Sequence, residues 1–337
     1  MKNKVSMQDI ADSLGVSKVT VSKVLRGKSD VSKNVREKVL DTAERLGYQY
    51  GGKSRRPVSK ITILTAEHFF GGSDCFYVKL YRYLSEELEK LHIDAILTIL
   101  DRQSEQNGAV PEKLKNREAD GIIVMGQMPR EYLEKLQELQ IPMVFLDFYY
   151  DGFNVTSVNT DNFFSAYELT DRLILFGHTK IGFVGNLNYT SSIQDRFLGT
   201  CKALIEHHLP LRREWVLNDR QSDGRYLDIR LPGTMPTAFV CNCDEVAGLL
   251  IRSLEQKGFR VPLDVSVAGF DDSVHAVKSD PQITTVHVNL AEMARLTVKA
   301  LLRDMGPGRQ KNRILSRGKI ISRESVLDLR GSGSSRG

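Results

Sequence analysis

Three short stretches near the start of the chain carry apolar residues at helical spacing. Ile10, Ala11 and Leu14 share one face, Val21 joins Val24 or Leu25 on a second, and Val35, Val39, Ala43 and Leu46 line a third. Each stretch has its own punctuation. Ser6 with Asp9 three residues later makes a capping-box pattern, Gly15 supplies a left-handed stop, Ser17 and Ser32 are placed to cap the next two helices, and Gly47 ends the last. From Ile61 onward the pattern changes. Apolar runs of strand length ("ITILT", "DAILTIL", "GIIVMG", "PMVFLD") alternate with amphipathic stretches such as "YVKLYRYLSEELEKL" and "EYLEKLQEL". A second set, "KIGFVG", "TAFVCN" and "VSVAGF", is separated by "FFSAYELTDRLILFG", "FLGTCKALIEHH" and "DEVAGLLIRSLEQKG". Two sets of buried parallel strands with helices between them predict two doubly wound α/β lobes, with ligand chemistry at the carboxyl ends of their strands.

Charge changes the picture of the first unit. Residues 1–60 carry 14 Lys and Arg against 6 Asp and Glu, while the remainder holds 33 against 36. A basic head on a near-neutral body is the electrostatic footprint of a nucleic-acid binder, the plainer alternative being a solubilising lysine-rich tail. Two short helices joined by a glycine turn and braced by a third read as a helix-turn-helix. The second of them is small and polar, and its outward side offers Lys18, Val19, Ser22 and Lys23, followed by Arg26. Such a surface suits a major groove, where side chains read base edges. No apolar run approaches the roughly eighteen residues needed to cross a bilayer. The first fifteen residues hold no signal-type apolar core, and the four cysteines (Cys75, Cys201, Cys241, Cys243) are too scattered for a disulfide framework. A cytoplasmic location is expected.

The segment "MQDIADSLGVSKVTVSKVLRGKSDVSKNVREKVLDTAERLGY" resembles the DNA-binding head of the LacI/GalR family of bacterial repressors, almost continuously from Val5 to Tyr48. The body resembles the same family through "FGHTKIGFVGN", "DRFLGTCKAL", "VPLDVSVAGFDDS" and "PQITTVHVN", to about Leu329. The resemblance implies an all-α helix-turn-helix head followed by two α/β lobes of the type I periplasmic-binding-protein fold. It implies base contacts from Lys18, Val19 and Lys23 and phosphate anchoring by Ser17, Thr20 and Ser22, with Val19 limited to an apolar contact such as a thymine methyl.

The domain expectations are a head over 1–48, a linker over 49–60, an effector-binding and dimerisation body over 61–330 and a disordered tail over 331–337. Lobe 1 is expected at about 61–157 and 289–306, lobe 2 at about 160–286 and 311–329, with chain crossings near 157–160, 286–289 and 306–311. The linker "YQYGGKSRRPVSK" departs from the family, whose hinge helix carries an Asn-x-x-Ala-Arg-x-Leu type signature. Gly51-Gly52 and Pro57 oppose helix, and no leucine is present to wedge into a minor groove. Lys53, Arg55 and Arg56 are expected either to form a basic strap on phosphates or to be plain solvated linker.

Within the cleft the resemblance implies that Asp147 and Asp271 accept hydrogen bonds from ligand hydroxyls and that Arg196 clamps the ligand from the second lobe. Carboxylates with a guanidinium suit vicinal hydroxyls. Phe70 or Phe76 is expected to supply an apolar face and Asn159 an amide. Each has an ordinary alternative: a cap for the aspartates, core packing for the phenylalanines, a lobe-to-lobe bridge for Arg196. Cys243 stands where the family usually has an asparagine, just before Asp244, and Met125 lies near a position that can be polar. A thiol cannot replace an amide's two donors, which points to a less hydroxylated, smaller or differently oriented ligand than a common hexose. The lone C-x-C of Cys241 and Cys243 has no histidine nearby, and no metal or other cofactor is expected.

The expected function is a ligand-responsive transcriptional regulator, a repressor type, binding a pseudo-palindromic operator in double-stranded DNA as a homodimer, with a small sugar or related metabolite as effector. The competing reading is an enzyme on an α/β scaffold with a DNA-binding head. "GFVGN" is not a full dinucleotide fingerprint, and no phosphate-binding loop, nucleophile elbow or zinc-binding His pair appears.

Overall fold

The computed structural model describes residues 5–25, 31–46, 48, 58–70, 76–306 and 311–331. The chain forms two compact units, residues 1–58 and 59–337. The basic residues Arg26, Lys53, Arg55 and Arg56 lie outside the described residues, as does the stop at Gly47.

The first unit is three helices, α1 (Met7–Leu14), α2 (Lys18–Leu25) and α3 (Lys33–Arg45). The capping box forms as the spacing predicts: the Ser6 hydroxyl accepts from the Asp9 amide, and the Asp9 carboxylate takes the Ser6 amide at 2.6 Å. Gly15 closes α1 at φ +63°, a conformation that costs a side-chain-bearing residue about 1–2 kcal/mol. Ile10, Ala11, Val21, Val24, Val39 and Ala43 form the shared core. Burial of that face orients α2: Val21 and Val24 enter the core, Leu25 packs against it, and Lys18 and Val19 turn outward.

The second unit has two lobes. Lobe 1 is a six-stranded, all-parallel sheet. Its strands are β1 (Lys60–Ala66), β2 (Asp94–Leu100), β3 (Gly121–Met125), β4 (Met143–Leu146), β5 (Thr156–Thr160) and β11 (Arg313–Ser316), in the order β11-β5-β4-β3-β1-β2. Helices α4 (Phe76–Glu89), α5 (Arg102–Asn107), α6 (Glu112–Lys115) and α7 (Arg130–Glu138) connect the strands, and α12 (Leu290–Asp304) returns to pack on β5, β4 and α4. β1, β3 and β4 are buried on both faces, which is why they read as unbroken apolar runs.

Lobe 2 is a four-stranded parallel sheet in the order β7-β6-β8-β9, made of β6 (Ile181–Val184), β7 (Val216–Leu217), β8 (Ala238–Cys241) and β9 (Ser266–Ala268). Around it lie α8 (Asn162–Leu175), α9 (Ser191–Glu206), α10 (Asp244–Gln256) and α11 (Val274–Lys278). A two-stranded antiparallel ribbon of β10 (Thr285–His287) and β12 (Lys319–Ile321) lies against α8.

One implied boundary differs. Residues 311–329 do not belong to lobe 2 as a block, because β11 pairs with β5 in register, Arg313 with Ser157 through Ser316 with Thr160. The last crossing therefore follows Ser316 rather than lying at 306–311. The pairing occupies the edge of β5: the Ser157 amide donates to Asn312 and the Asp161 amide to Ser316. Without it those amides would belong to an open sheet edge.

Candidate functional site

The first candidate surface is the outward side of α2. Val19 is 64% exposed although it is a large apolar residue, and Lys18 beside it is also exposed. Ser17 caps the helix through the Thr20 amide at 3.0 Å, and its hydroxyl lies 2.8 Å from that of Thr20. Ser22 and Lys23 are half-buried one turn on. The residues expected to touch DNA thus share the start and one side of a single helix, with the exception of Lys53, Arg55 and Arg56.

The second is the cleft between the lobes. β4 ends at Leu146, and Asp147 then takes φ +69°; on the other side, Asp271 and Asp272 follow β9 at φ +103° and +54°. Three non-glycine residues in sparsely populated backbone regions at strand ends cost about 1–3 kcal/mol each, and such strain clusters at functional sites. Asp147 is 5% exposed; Tyr77 donates to its Oδ2 at 2.7 Å, and Oδ1 accepts no hydrogen bond. Arg196 comes from α9 and is buried against the Phe270 ring at 3.8 Å. Its Nε donates to Asn162 at 2.8 Å, one terminal nitrogen donates to the Asn242 carbonyl, and the other lies 3.3 Å from Asp271 Oδ1. That last contact is an ion pair without hydrogen-bond geometry, so Asp271 Oδ1 also accepts none.

Burial pushes the Asp271 carboxyl up to about 8, with Arg196 opposing and the charges of Asp244 and Asp147 adding to the rise. Burial likewise raises Asp147. Asn159, at 1% exposure in β5, has an amide oxygen with no partner, and Asn162 has an amide nitrogen with none. Asp147 and Arg196 are buried and Asp271 is half-buried, near enough for their charges to act on one another between the two lobes.

Other expected residues have different surroundings. Asp244 is fully buried at the start of α10 and spends its carboxylate internally, on the Thr285 hydroxyl at 2.5 Å and the Ser273 amide at 2.7 Å. Gly269 is required beside it, because an added Cβ would stand 2.3 Å from an Asp244 oxygen. Cys243 packs on the lobe 2 core, and burial pushes its thiol up to about 12, so it is a neutral apolar neighbour. The amide lies one residue earlier. Asn242 donates to the Val184 carbonyl and to Asp219, and it accepts from Arg220 at 3.1 Å. Phe70 and Phe76 pack edge-on against Tyr81 and Tyr77. Met125 is fully buried.

An open cavity of about 520 Å³ is lined from both lobes, and none of the expected effector residues lines it. Its walls are residues the sequence did not flag: His68 and Phe69 from lobe 1 with Gln127 and Tyr150, facing Asn186 and Tyr189 of lobe 2. Arg102 meets Asp223 across this cavity at 3.3 Å, and Gln127 accepts from the first amide of α9 at 2.7 Å. Arg220, almost buried, is paired with Asp219 at 2.7 Å and lies over the rings of Tyr189 and Tyr226. Its only signal in the sequence is a run of Asp, Arg, Gln, Ser and Gly, which reads as loop. Among the described residues no group of three or more His, Cys, Asp or Glu is placed to hold a metal, and no helix is long and apolar enough to cross a membrane.

Comparison with known proteins matches each unit. Residues 6–50 match the bacterial regulatory proteins of the lacI family, and residues 170–326 match a periplasmic binding protein-like domain. The HTH-type transcriptional repressor PurR of Haemophilus influenzae (strain PittEE) is 30% identical over 338 residues, covering 96% of this chain and 99% of that one. The chain belongs to the LacI family. Its members are transcriptional regulators, not enzymes. The family fold is equally clear in solved structures. The transcriptional regulator CelR in complex with cellobiose superposes with a TM-score of 0.68 at 22% identity, covering 96% of this chain and 100% of that one. The lac repressor dimer bound to operator and an anti-inducer gives 0.66 at 20%, with the same coverage.

Proposed function

We propose that the protein is a repressor-type regulator of the cytoplasm that binds a pseudo-palindromic DNA operator as a homodimer and is switched by a small polar, sugar-like metabolite held between its lobes. The observation that carries the effector half is the set of buried oxygens of Asp147, Asn159 and Asp271 that accept no hydrogen bond. Unpaired buried acceptors cost about 1–3 kcal/mol each, and a hydroxyl-bearing ligand satisfies them. The DNA half is supported by the exposed Lys18–Val19 surface of a capped, short α2. Lys53, Arg55 and Arg56 add basic charge after the head and serve as a phosphate strap. The cellobiose complex and the operator-bound dimer among the structural neighbours accord with both halves. Ligand that draws the lobes together changes the spacing of two heads, and a coupling of about 1–3 kcal/mol suffices for a useful switch.

Fluorescence anisotropy on fragments of the protein's own promoter region, with and without a sugar panel, tests the reading. Sequence-selective binding that shifts at least fivefold with one sugar is expected. Binding that ignores sequence, or a monomer in light scattering at micromolar concentration, refutes it.

A further inference from the structure

The start of α9 ties lobe 2 to lobe 1. The Ser191 amide donates to Gln127 Oε1 at 2.7 Å, and the Ser191 hydroxyl accepts from the Tyr149 amide at 3.3 Å. One turn on, the Asp195 carboxylate accepts from the Tyr149 hydroxyl on one oxygen at 2.8 Å and from the Arg313 guanidinium on the other at 2.5 Å. Arg313 also lies over the Tyr149 ring, 3.6 Å from its centre. These partners come from three separate places in lobe 1: the turn after β3, the turn after β4 and the first residue of β11.

Asp195 is the hub of the set. It is 7% exposed, whereas Arg313 stands at the surface, so a buried carboxylate of lobe 2 is met by a lobe 1 cation reaching in from solvent. Both of its oxygens are taken, and both by the other lobe. A buried carboxylate stripped of its cation is costly, which opposes separation of the lobes. Burial pushes the Tyr149 hydroxyl up and Asp195 adds to the rise, so it stays a neutral donor. All of these bonds join protein groups, and they act on the lobe angle with or without an effector.

The set is also joined to the cleft through the chain. Asp195 immediately precedes Arg196, and Tyr149 lies two residues beyond Asp147. A ligand shifts an open–closed balance only from the point at which the protein's own contacts set it. Resting on the reading that lobe spacing governs the heads, we propose that Asp195, with Tyr149 and Arg313, is a lobe-to-lobe latch that sets this balance and thereby tunes DNA affinity from beside the effector site.

Hydrogen exchange by mass spectrometry on the full chain reads the latch. The Ser191 and Tyr149 amides bond across the lobes, and their own acceptors are left intact by Asp195→Asn and by Arg313→Met. In both variants peptides holding these amides are expected to exchange at least about fivefold faster, with β1 and β8 unchanged. Lys202→Met, which removes an exposed ion pair within lobe 2, should alter neither. Arg313→Met changes a surface side chain and decides the matter if Asp195→Asn folds poorly. Unchanged exchange at both amides in Arg313→Met overturns the proposal, and so does acceleration that extends equally to β1 and β8, because the contact then serves folding rather than lobe spacing. Anisotropy on the protein's own promoter fragment supplies the second arm: operator affinity should shift about threefold or more in both latch variants and not in Lys202→Met. Faster exchange at unchanged affinity overturns the regulatory role. Absence of sequence-selective binding by the parent overturns the proposed function instead and leaves the exchange result in place.

Discussion

Asp244 and Asp271 each follow a strand of lobe 2, yet their surroundings give them different roles. Asp244→Ala strands the fully buried Thr285 hydroxyl and the half-buried Ser273 amide. Each unsatisfied donor costs about 1–3 kcal/mol, so about 2–6 kcal/mol in all. Part of this depends on pH. Burial pushes the Asp244 carboxyl up to about 6, against an unfolded value of about 3.9. Because the folded value is the higher, the native protein takes up a proton on folding, and its stability falls as pH rises from about 4 to about 6. Between pH 5 and pH 7 that loss is about 1 kcal/mol in the parent and is missing from the variant. The contribution of Asp271 is common to both proteins and cancels to first order. Asp244→Ala is therefore expected to destabilise by about 2–6 kcal/mol at pH 5 and by about 1 kcal/mol less at pH 7. Urea unfolding of the full chain at the two pH values, followed by circular dichroism, measures it. A variant within 0.5 kcal/mol of the parent at both would refute the assignment of Asp244 as an internal tie, and a penalty that grows with pH would refute its burial as the cause of the raised carboxyl.

Further outcomes follow from the same structure. Asp271 is raised to about 8, so its contribution to stability is present at low pH and is lost as pH climbs from about 4 through about 8; Asp271→Asn should flatten the fall in urea midpoint between pH 6 and 8.5, and parallel curves would count against it. Reversing charge with Lys18→Glu and Lys23→Glu together should abolish selective operator binding in an anisotropy titration at 100 mM salt, with circular dichroism checking that the head stays helical; retained binding would remove α2 as the reading helix. Val19→Ala, at a site 64% exposed, should leave stability within 0.5 kcal/mol. It should weaken discrimination at one base pair by about 1 kcal/mol, and equal loss on all DNA sequences would contradict an apolar base contact.

The sequence made the head and the central strands legible because each signal there is local. Ser6 and Asp9 bond each other, Gly15 takes the left-handed turn, and β1, β3 and β4 are unbroken apolar runs covered on both faces. β5, "TSVNT", and β11, "RILS", escaped because neither is strongly apolar, and β11 finds its partner β5 more than 150 residues back along the chain. Within the cleft, Asp147, Arg196 and Asp271 are drawn near one another between the lobes, but motif position could not tell a carboxylate already satisfied by Thr285 and Ser273 from one left with an empty oxygen. Arg220 and Tyr189 were hidden for a related reason. Their environment is made by the tertiary approach of the loop 219–226 to the turn before α9, and no periodicity in either segment announces it.

The return of β11 to the first lobe has a consequence for how the body can be cut. One stretch after residue 310 furnishes an edge strand to one lobe, and the next, through the Ser325 and Leu327 bonds to Val267, Thr284 and Ser266, straps the other. Neither lobe is a contiguous piece of polypeptide, so neither can be expressed alone by simple truncation. A stop codon near residue 310 would injure both at once, and that makes the stretch 311–329 a poor place for tags inserted in frame.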